Sequence, residues 1–377
     1  MKIVIVGTAY PLRGGIAHYI NLLSSHLCKK HEVEIITFKR QYPKLLFPGK
    51  TQEESGEQHN IKPAPQLVDS INPLNWISVA SYIRNLKPDL MIFKYWLPFF
   101  GPCFGTIAKL VKKKINTKVL FICDNVIPHE RRPGDFLFTR YAFKQADYFI
   151  VQSHAVEKEL RLHFPDAKYR LVSHPVYENF GSAVPKEQAR DLLGISAKKV
   201  ILYFGYIRSY KGLNVLIEAV KKMIDIKNDM QDTLLLSVGE FYDDEKKYRQ
   251  LVSDLKIEDN VKFIPDYVPN DKVSLYFSAA DVVVLPYLSA TQSGIAQIAY
   301  NFDKPIIATN VGGLAEVVIH KKTGFVVLPN DAKALAQAVI EFYSSDNERI
   351  FIENVKIEKK KYTWDNLVGN IEDLMNK

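Results

Sequence analysis

Short apolar runs alternate with longer amphipathic stretches along the whole chain. Residues 3–6, 33–36, 90–93, 119–122 and 148–151 read as strands, and residues 15–28 and 155–162 read as helices. The rhythm restarts at residues 200–204 and runs through 213–226, 233–238, 248–255, 261–263, 273–278, 282–285, 295–302, 306–308, 325–328 and 332–343. A strand–helix–strand rhythm predicts parallel sheets covered by helices on both faces, here two α/β domains in tandem. Residues 174–199 hold Pro175, Gly181, Pro185 and Gly194 with little β patterning. The predicted division is therefore an N-terminal Rossmann-like domain over 1–175, a linker over 176–199, a second Rossmann-like domain over 200–357, and a helical segment over 358–377. Ala146-Asp147 and Ala280-Asp281, each followed by an apolar run, occupy comparable places in the two halves.

Composition supports this picture and narrows it. With 377 residues, 47% of them hydrophobic and 24% charged, the chain can bury two cores, and extended disorder or a fibrous repeat is excluded. Its three cysteines form no C-x-x-C pair, which speaks against a zinc site or a disulfide framework and for a reducing compartment. The apolar run at residues 3–6 is shorter than the about 7–15 residues of a signal peptide. Residues 95–105 are apolar but broken by Pro98 and Pro102, well short of the about 20 residues of a membrane span. The expectation is a cytoplasmic protein at the inner face of the plasma membrane.

Charge adds a partner. The first 175 residues carry 25 Lys and Arg against 14 Asp and Glu, and the remainder 25 against 28, so a half of net +11 precedes one of −3. A basic half suits a polyanion. The densest block, which includes Lys112, Lys113 and Lys114, follows the aromatic stretch at 95–105, and cations beside exposed aromatics suit an anionic membrane surface. The alternative is a solvated helix face beside a buried strand.

In parallel sheets ligands sit beyond the carboxyl ends of the strands. The turn after the first strand contains Gly14-Gly15, either a tight turn or a close approach to an anion at a helix N-terminus; it is not G-x-G-x-x-G. The turn at residues 204–213, F-G-Y-I-R-S-Y-K-G-L, carries Arg208 and Lys211, which could clamp a diphosphate or simply be solvated.

Those two turns, with Ser237-Val238-Gly239-Glu240, Ala280-Asp281, residues 304–316 and Lys322-Thr323-Gly324-Phe325, come in the order that resembles the retaining nucleotide-sugar glycosyltransferases of family 4, across nearly the whole chain. The resemblance implies the GT-B fold: two doubly wound Rossmann-like domains facing a cleft, acceptor bound by the first, nucleotide sugar by the second, and a C-terminal helix (residues 364–375) returning to the first. It implies that Lys211 meets the donor diphosphate, with Arg208 a displaced stand-in for an arginine that usually follows the glycine, where this chain has Tyr206. Gly14, Gly15, Gly239 and Glu316 match further donor-site positions. Two family glutamates fall at Ala290 and Ile298, so neither is present. The neutral segment Thr291-Gln292-Ser293-Gly294 is left to offer hydroxyl, amide and backbone donors. Where many relatives have a histidine beside the reacting sugar this chain has Asp124, with His129 and Glu130 shortly after; an Asx turn and a structural histidine are the alternatives.

No metal-ligand cluster is suggested, since Asp243-Asp244-Glu245 lies in a very polar stretch with no His or Cys nearby. The resemblance implies metal-independent transfer without a cofactor, cations and a helix N-terminus stabilising the leaving diphosphate. The expected activity is transfer of a sugar from a nucleoside diphosphate sugar to a hydroxyl of a lipid-linked or surface-polysaccharide acceptor, as in lipopolysaccharide or capsule synthesis. A noncatalytic GT-B partner protein and a GT-B phosphorylase are the rivals. Nucleic acid fits the basic half but not two domains with diphosphate turns.

Overall fold

A computed structural model describes residues 1–43, 51–54, 63–127, 132–344 and 346–376. The chain divides into two compact units, residues 1–175 with 363–377, and residues 176–362.

In the first unit, seven parallel strands are β1 (Lys2–Val6), β2 (Glu32–Arg40), β3 (Gln66–Asp69), β4 (Leu90–Tyr95), β5 (Lys118–Cys123), β6 (Tyr148–Val151) and β7 (Tyr169–Leu171). Their order across the sheet is β3-β2-β1-β4-β5-β6-β7. The chain builds outward from β1, then returns to place β4 on its other side, which makes the β1/β4 boundary a topological switch point. Helices α1 (Gly15–Leu27), α2 (Pro73–Leu86), α3 (Gly101–Lys112), α4 (Asp135–Phe143) and α5 (His154–His163) follow β1, β3, β4, β5 and β6. Every residue of β4 is buried, and its aromatics join Phe100, Phe104 and Phe121 in one core.

The second unit begins with α6 (Lys186–Leu193) and then alternates β8 (Lys199–Phe204), α7 (Leu213–Ile226), β9 (Thr233–Val238), α8 (Glu245–Asp254), β10 (Val261–Ile264), α9 (Asn270–Ala279) and β11 (Val282–Leu285). It continues with α10 (Gly294–Asn301), β12 (Ile306–Thr309), α11 (Leu314–Val317), β13 (Gly324–Val327), α12 (Ala332–Tyr343) and α13 (Asn347–Glu358). The parallel order β10-β9-β8-β11-β12-β13 repeats the reversal, now between β8 and β11. The last helix, α14 (Trp364–Met375), packs on α1 of the first unit. Trp364 lies buried between the rings of Tyr19 (5.1 Å) and His26 (5.9 Å), and Glu372 accepts from His31 Nε2 at 2.9 Å.

Residues 176–199, read from sequence as a linker, are built into the second unit. Pro185 and Gly194, taken as linker punctuation, are the N-cap and the left-handed C-cap of α6. That helix packs on α9, and its buried Arg190 donates to Ala279 O at 3.0 Å.

The paired Ala-Asp phrases do the same job in each sheet. Asp147, just before β6, accepts from Val119 N of β5 at 2.8 Å; Asp281, just before β11, accepts from Val200 N of β8 at 2.7 Å. Each carboxylate satisfies the backbone at the start of a neighbouring strand, and each binds a cation: Lys112 Nζ at 2.8 Å for Asp147, and Arg190 Nη2 at 2.8 Å and Lys186 Nζ at 2.7 Å for Asp281.

Asp281 and Arg190 are both buried, so removing one leaves the other charge stranded. Asp281→Ala is expected to destabilise the second unit by about 3–5 kcal/mol. Asp147→Ala, whose partner is part-exposed, should cost clearly less in the same urea titrations; equal losses would refute this difference.

Candidate functional site

The site of the second unit is built where β8, β9 and β11 end at the switch point. The turns there touch backbone to backbone. Gly239, at φ 141°, lies so close to Gly205 that a Cβ would strike the Gly205 carbonyl, and a Cβ on Gly212, at φ 68°, would strike the Pro286 carbonyl. Only glycine permits both the approach and the conformation. Leu288 N donates to Tyr210 O at 2.7 Å, which ties the turn after β11 to the turn after β8.

Lys211 is carried by this frame. Its Nζ lies beside Gly205, 3.4 Å from where a Cβ would stand, together with Ile295 of the first turn of α10, and 5.6 Å from the centroid of the Tyr287 ring. Burial and then the nearby Arg208 lower its pKa to about 8. Among the described residues no carboxylate balances either cation. The Arg208 guanidinium stands 5.1 Å over Tyr242, whose ring lies 4.5 Å from that of Tyr206.

Beside Lys211, the segment Thr291-Gln292-Ser293-Gly294 leads into α10. Ser293 is the N-cap but makes no side-chain cap; its hydroxyl instead meets Tyr287 OH at 3.2 Å, and no acid lies in the first turn. Neither a side-chain cap nor a first-turn acid therefore offsets the positive end of α10. Thr291 O accepts from Gly313 N at 2.8 Å, which joins the segment to the loop before α11, where Glu316 is exposed in the first turn. Ala290 and Ile298 are buried and apolar. Arg208, Lys211, Gly239 and the 291–294 segment are therefore gathered at one end of one sheet.

The first unit has its own polar cluster at the corresponding strand ends. Asp124, directly after β5, receives Lys94 Nζ at 2.5 Å. Lys94 is fully buried in β4, donates to Gln152 Oε1 at 2.9 Å and lies 3.7 Å from the centroid of the Tyr19 ring. Burial lowers its pKa and Asp124 opposes that shift. Gln152 donates to Tyr19 OH at 3.0 Å, and the ring of His174 meets Tyr19 edge-on at 5.1 Å. Burial and the Lys94 charge depress His174 to about 3, so it is neutral at physiological pH and its Nδ1–H donates to Pro175 O at 2.7 Å. Asn125 donates from its side chain to Trp96 O at 3.1 Å. Gly14 is the N-cap of α1 at φ 108° and Gly15 its first residue, exposed. His129 lies outside the described residues.

Sequence reasoning missed Lys94, Gln152, Tyr19 and Tyr287. Lys94 had left a signal, a charge inside the otherwise apolar run Leu90–Tyr95. The membrane reading of Lys112, Lys113 and Lys114 needs correction. Lys112, half-buried, is held by Asp147 and Gln145 O, and the neighbouring Tyr95, Trp96, Phe100 and Phe104 are core residues, whereas Lys113 and Lys114 are exposed. Among the described residues no three His, Cys, Asp or Glu side chains gather closely enough to hold a metal, and no helix is long and apolar enough to cross a membrane.

Comparison with known proteins matches residues 198–345 to the family described as glycosyl transferases group 1, and residues 13–179 to glycosyltransferase family 4. The chain is 31% identical over 319 residues to a D-inositol 3-phosphate glycosyltransferase of Corynebacterium urealyticum, covering 79% of this chain and 74% of that protein. It is 28% identical to an uncharacterized glycosyltransferase of Methanocaldococcus jannaschii, covering 97% and 96%. Among solved structures, Anabaena HepE in complex with UDP-glucose superposes with a TM-score of 0.76 at 18% identity, over 100% of this chain and 99% of that one. Sucrose-phosphate synthase from Thermosynechococcus elongatus gives 0.76 at 20% identity, over 100% and 98%. These last two likenesses establish the α/β GT-B fold.

An ammonium with a pKa of about 8 is charged below that pH and neutral above it. Inorganic pyrophosphate, titrated by calorimetry, is expected to bind more weakly as pH rises through 8. Lys211→Met should weaken binding at pH 7 and flatten the pH dependence; an unchanged profile in the variant would show that another group controls it.

Proposed function

The chain belongs to the GT-B glycosyltransferases, and from that premise we propose that it transfers a hexosyl group from a nucleoside diphosphate sugar to a hydroxyl of a lipid-linked or surface-polysaccharide acceptor, with retention of configuration. The observation that carries this reading is the pair Lys211 and Arg208, two cations without a carboxylate partner among the described residues, at the same strand ends as the N-terminus of α10, which has no side-chain cap and no acid in its first turn. A dianionic leaving group answers both.

In this reading bond breaking at the anomeric carbon moves charge onto the departing diphosphate. Lys211 as a point charge, Arg208 with its fork and the backbone N–H groups of the 291–294 segment stabilise it without reorganising. No metal is required for that step. A neutral segment in place of a glutamate puts no extra negative charge beside the phosphates, consistent with an arginine displaced to position 208. Gln292 and Ser293 serve the sugar hydroxyls. Asp124 and Lys94 form the acceptor-side pair of the first unit, the basic half that a phosphorylated or membrane-borne acceptor suits. The D-inositol 3-phosphate glycosyltransferase relative and the HepE structure make inositol phosphate and UDP-glucose the first acceptor and donor to try.

A second reading, a noncatalytic partner protein, is favoured by the buried apolar Ala290 and Ile298 where the family carries glutamates. Slow donor hydrolysis separates the two. A thermal-shift screen with UDP, GDP, ADP and their sugars identifies the donor; ligand at 100 times its Kd stabilises by about 2.7 kcal/mol.

Lys211→Ala is expected to lower turnover by about 10²-fold or more while the fold survives. Gln292→Ala should reduce transfer more than it reduces affinity for the free nucleoside diphosphate. Wild-type turnover in Lys211→Ala would remove the assignment, and absence of any donor turnover in the wild type would favour the noncatalytic protein.

A further inference from the structure

We propose that the outward face of α4, with the pocket it shares with α5, is a docking surface for an anionic phospholipid bilayer. This gives the membrane contact of the reading above a place in the fold, and to that extent rests on it. A surface helix ordinarily turns polar residues to water. In α4 the buried residues are Thr139, Ala142 and Phe143, and the side facing water carries Leu137 at 67% exposure, Phe136 and Phe138 at 42% each, and Tyr141 at 36%. Phe136 also packs on α5, its ring 5.2 Å from that of His163, and Leu162, the residue before His163 in sequence, is 72% exposed. Several large apolar side chains exposed on one short helix mark an interaction site.

Cations stand beside it. Phe136 also lines a pocket of about 680 Å³, together with Phe143, Phe149 and Phe164 and the cations Lys118, Arg140, Lys144 and Lys168. All four cations are exposed, and among the described residues none has a carboxylate partner. Of the two acids in the lining, Asp147 is already held by Lys112 at 2.8 Å, which leaves Asp166. The pocket sits at the starts of β5 and β6, the opposite end of the sheet from Asp124.

The combination selects the occupant. A bilayer of anionic lipid accepts aliphatic and aromatic side chains at its interface and attracts Lys and Arg, each worth about 1 kcal/mol near the surface. A nucleic acid would use the cations and leave Leu137 and Leu162 in water.

The test is flotation with phosphatidylcholine vesicles, with and without phosphatidylglycerol. The protein is expected to bind only the anionic vesicles, and less as salt rises, since screening reaches about 8 Å at physiological ionic strength. Arg140→Ala and Lys144→Ala should each lower vesicle affinity about fivefold, and Leu137→Ser should lower it further with an unchanged thermal melt. Glycerol phosphate should not compete.

Four results would overturn the proposal: equal binding to neutral vesicles, undiminished affinity in these variants, competition by glycerol phosphate, or loss of binding only in Lys113→Ala with Lys114→Ala. Donor hydrolysis in solution keeps the two readings apart. Hydrolysis without vesicle binding removes the surface alone, and vesicle binding without hydrolysis removes the transferase reading alone.

Discussion

The reversal of strand order, between β1 and β4 in one sheet and between β8 and β11 in the other, is the constraint on which both polar clusters rest. Parallel strands covered on both faces leave no room for a ligand along their length. At a reversal the connections diverge, and space opens beyond the carboxyl ends. In the second unit that space is framed by turns so close that Gly205, Gly212 and Gly239 lie against neighbouring backbone, and this packing fixes where Lys211 points. In the first unit the same place holds Lys94 and Asp124.

Buried charge is treated in two opposite ways. Asp281 gathers Arg190, Lys186, the Val200 N–H and the Tyr343 hydroxyl, so a costly burial is fully compensated and the group serves stability. Lys211 is buried beside the Tyr287 ring, Ile295 and the Gly205 backbone with Arg208 as a second cation nearby, and burial together with that cation lowers its pKa to about 8. Uncompensated positive charge is unfavourable to the isolated fold and favourable to an anionic ligand. The contrast separates a structural ion pair from a binding group more clearly than burial alone does.

Aromatic residues divide in the same manner. Trp96, Phe100 and Phe104 follow β4, are close to fully buried and form the core. Phe136 and Phe138 lie in the first turn of a nine-residue helix whose buried residues are Thr139, Ala142 and Phe143, and both are exposed, as is Leu137 between them. Hydrophobicity in the sequence is identical in kind for the two groups. Only the packing of α3 between α2 and α4 tells which is core and which is surface.

By itself the sequence determined the alternation of strands and helices, the two α/β domains, the turn with Arg208 and Lys211 and the paired Ala-Asp phrases, because these are local: periodicity of 2 or 3.6, glycine at tight turns, and a carboxylate one residue before a strand. What lay in contacts between distant segments was not legible there. Pro185 and Gly194 carried the composition of a linker and turned out to cap a packed helix, since a cap and a loop use the same residues. Lys112 had the look of a free surface cation until Asp147, distant in sequence, took it. Lys94 acquires its meaning only from Asp124 and Gln152, which arrive directly after β5 and after β6. Those partners are chosen by strand order, and strand order is a property of the folded sheet, set by which crossovers can bury their apolar faces together.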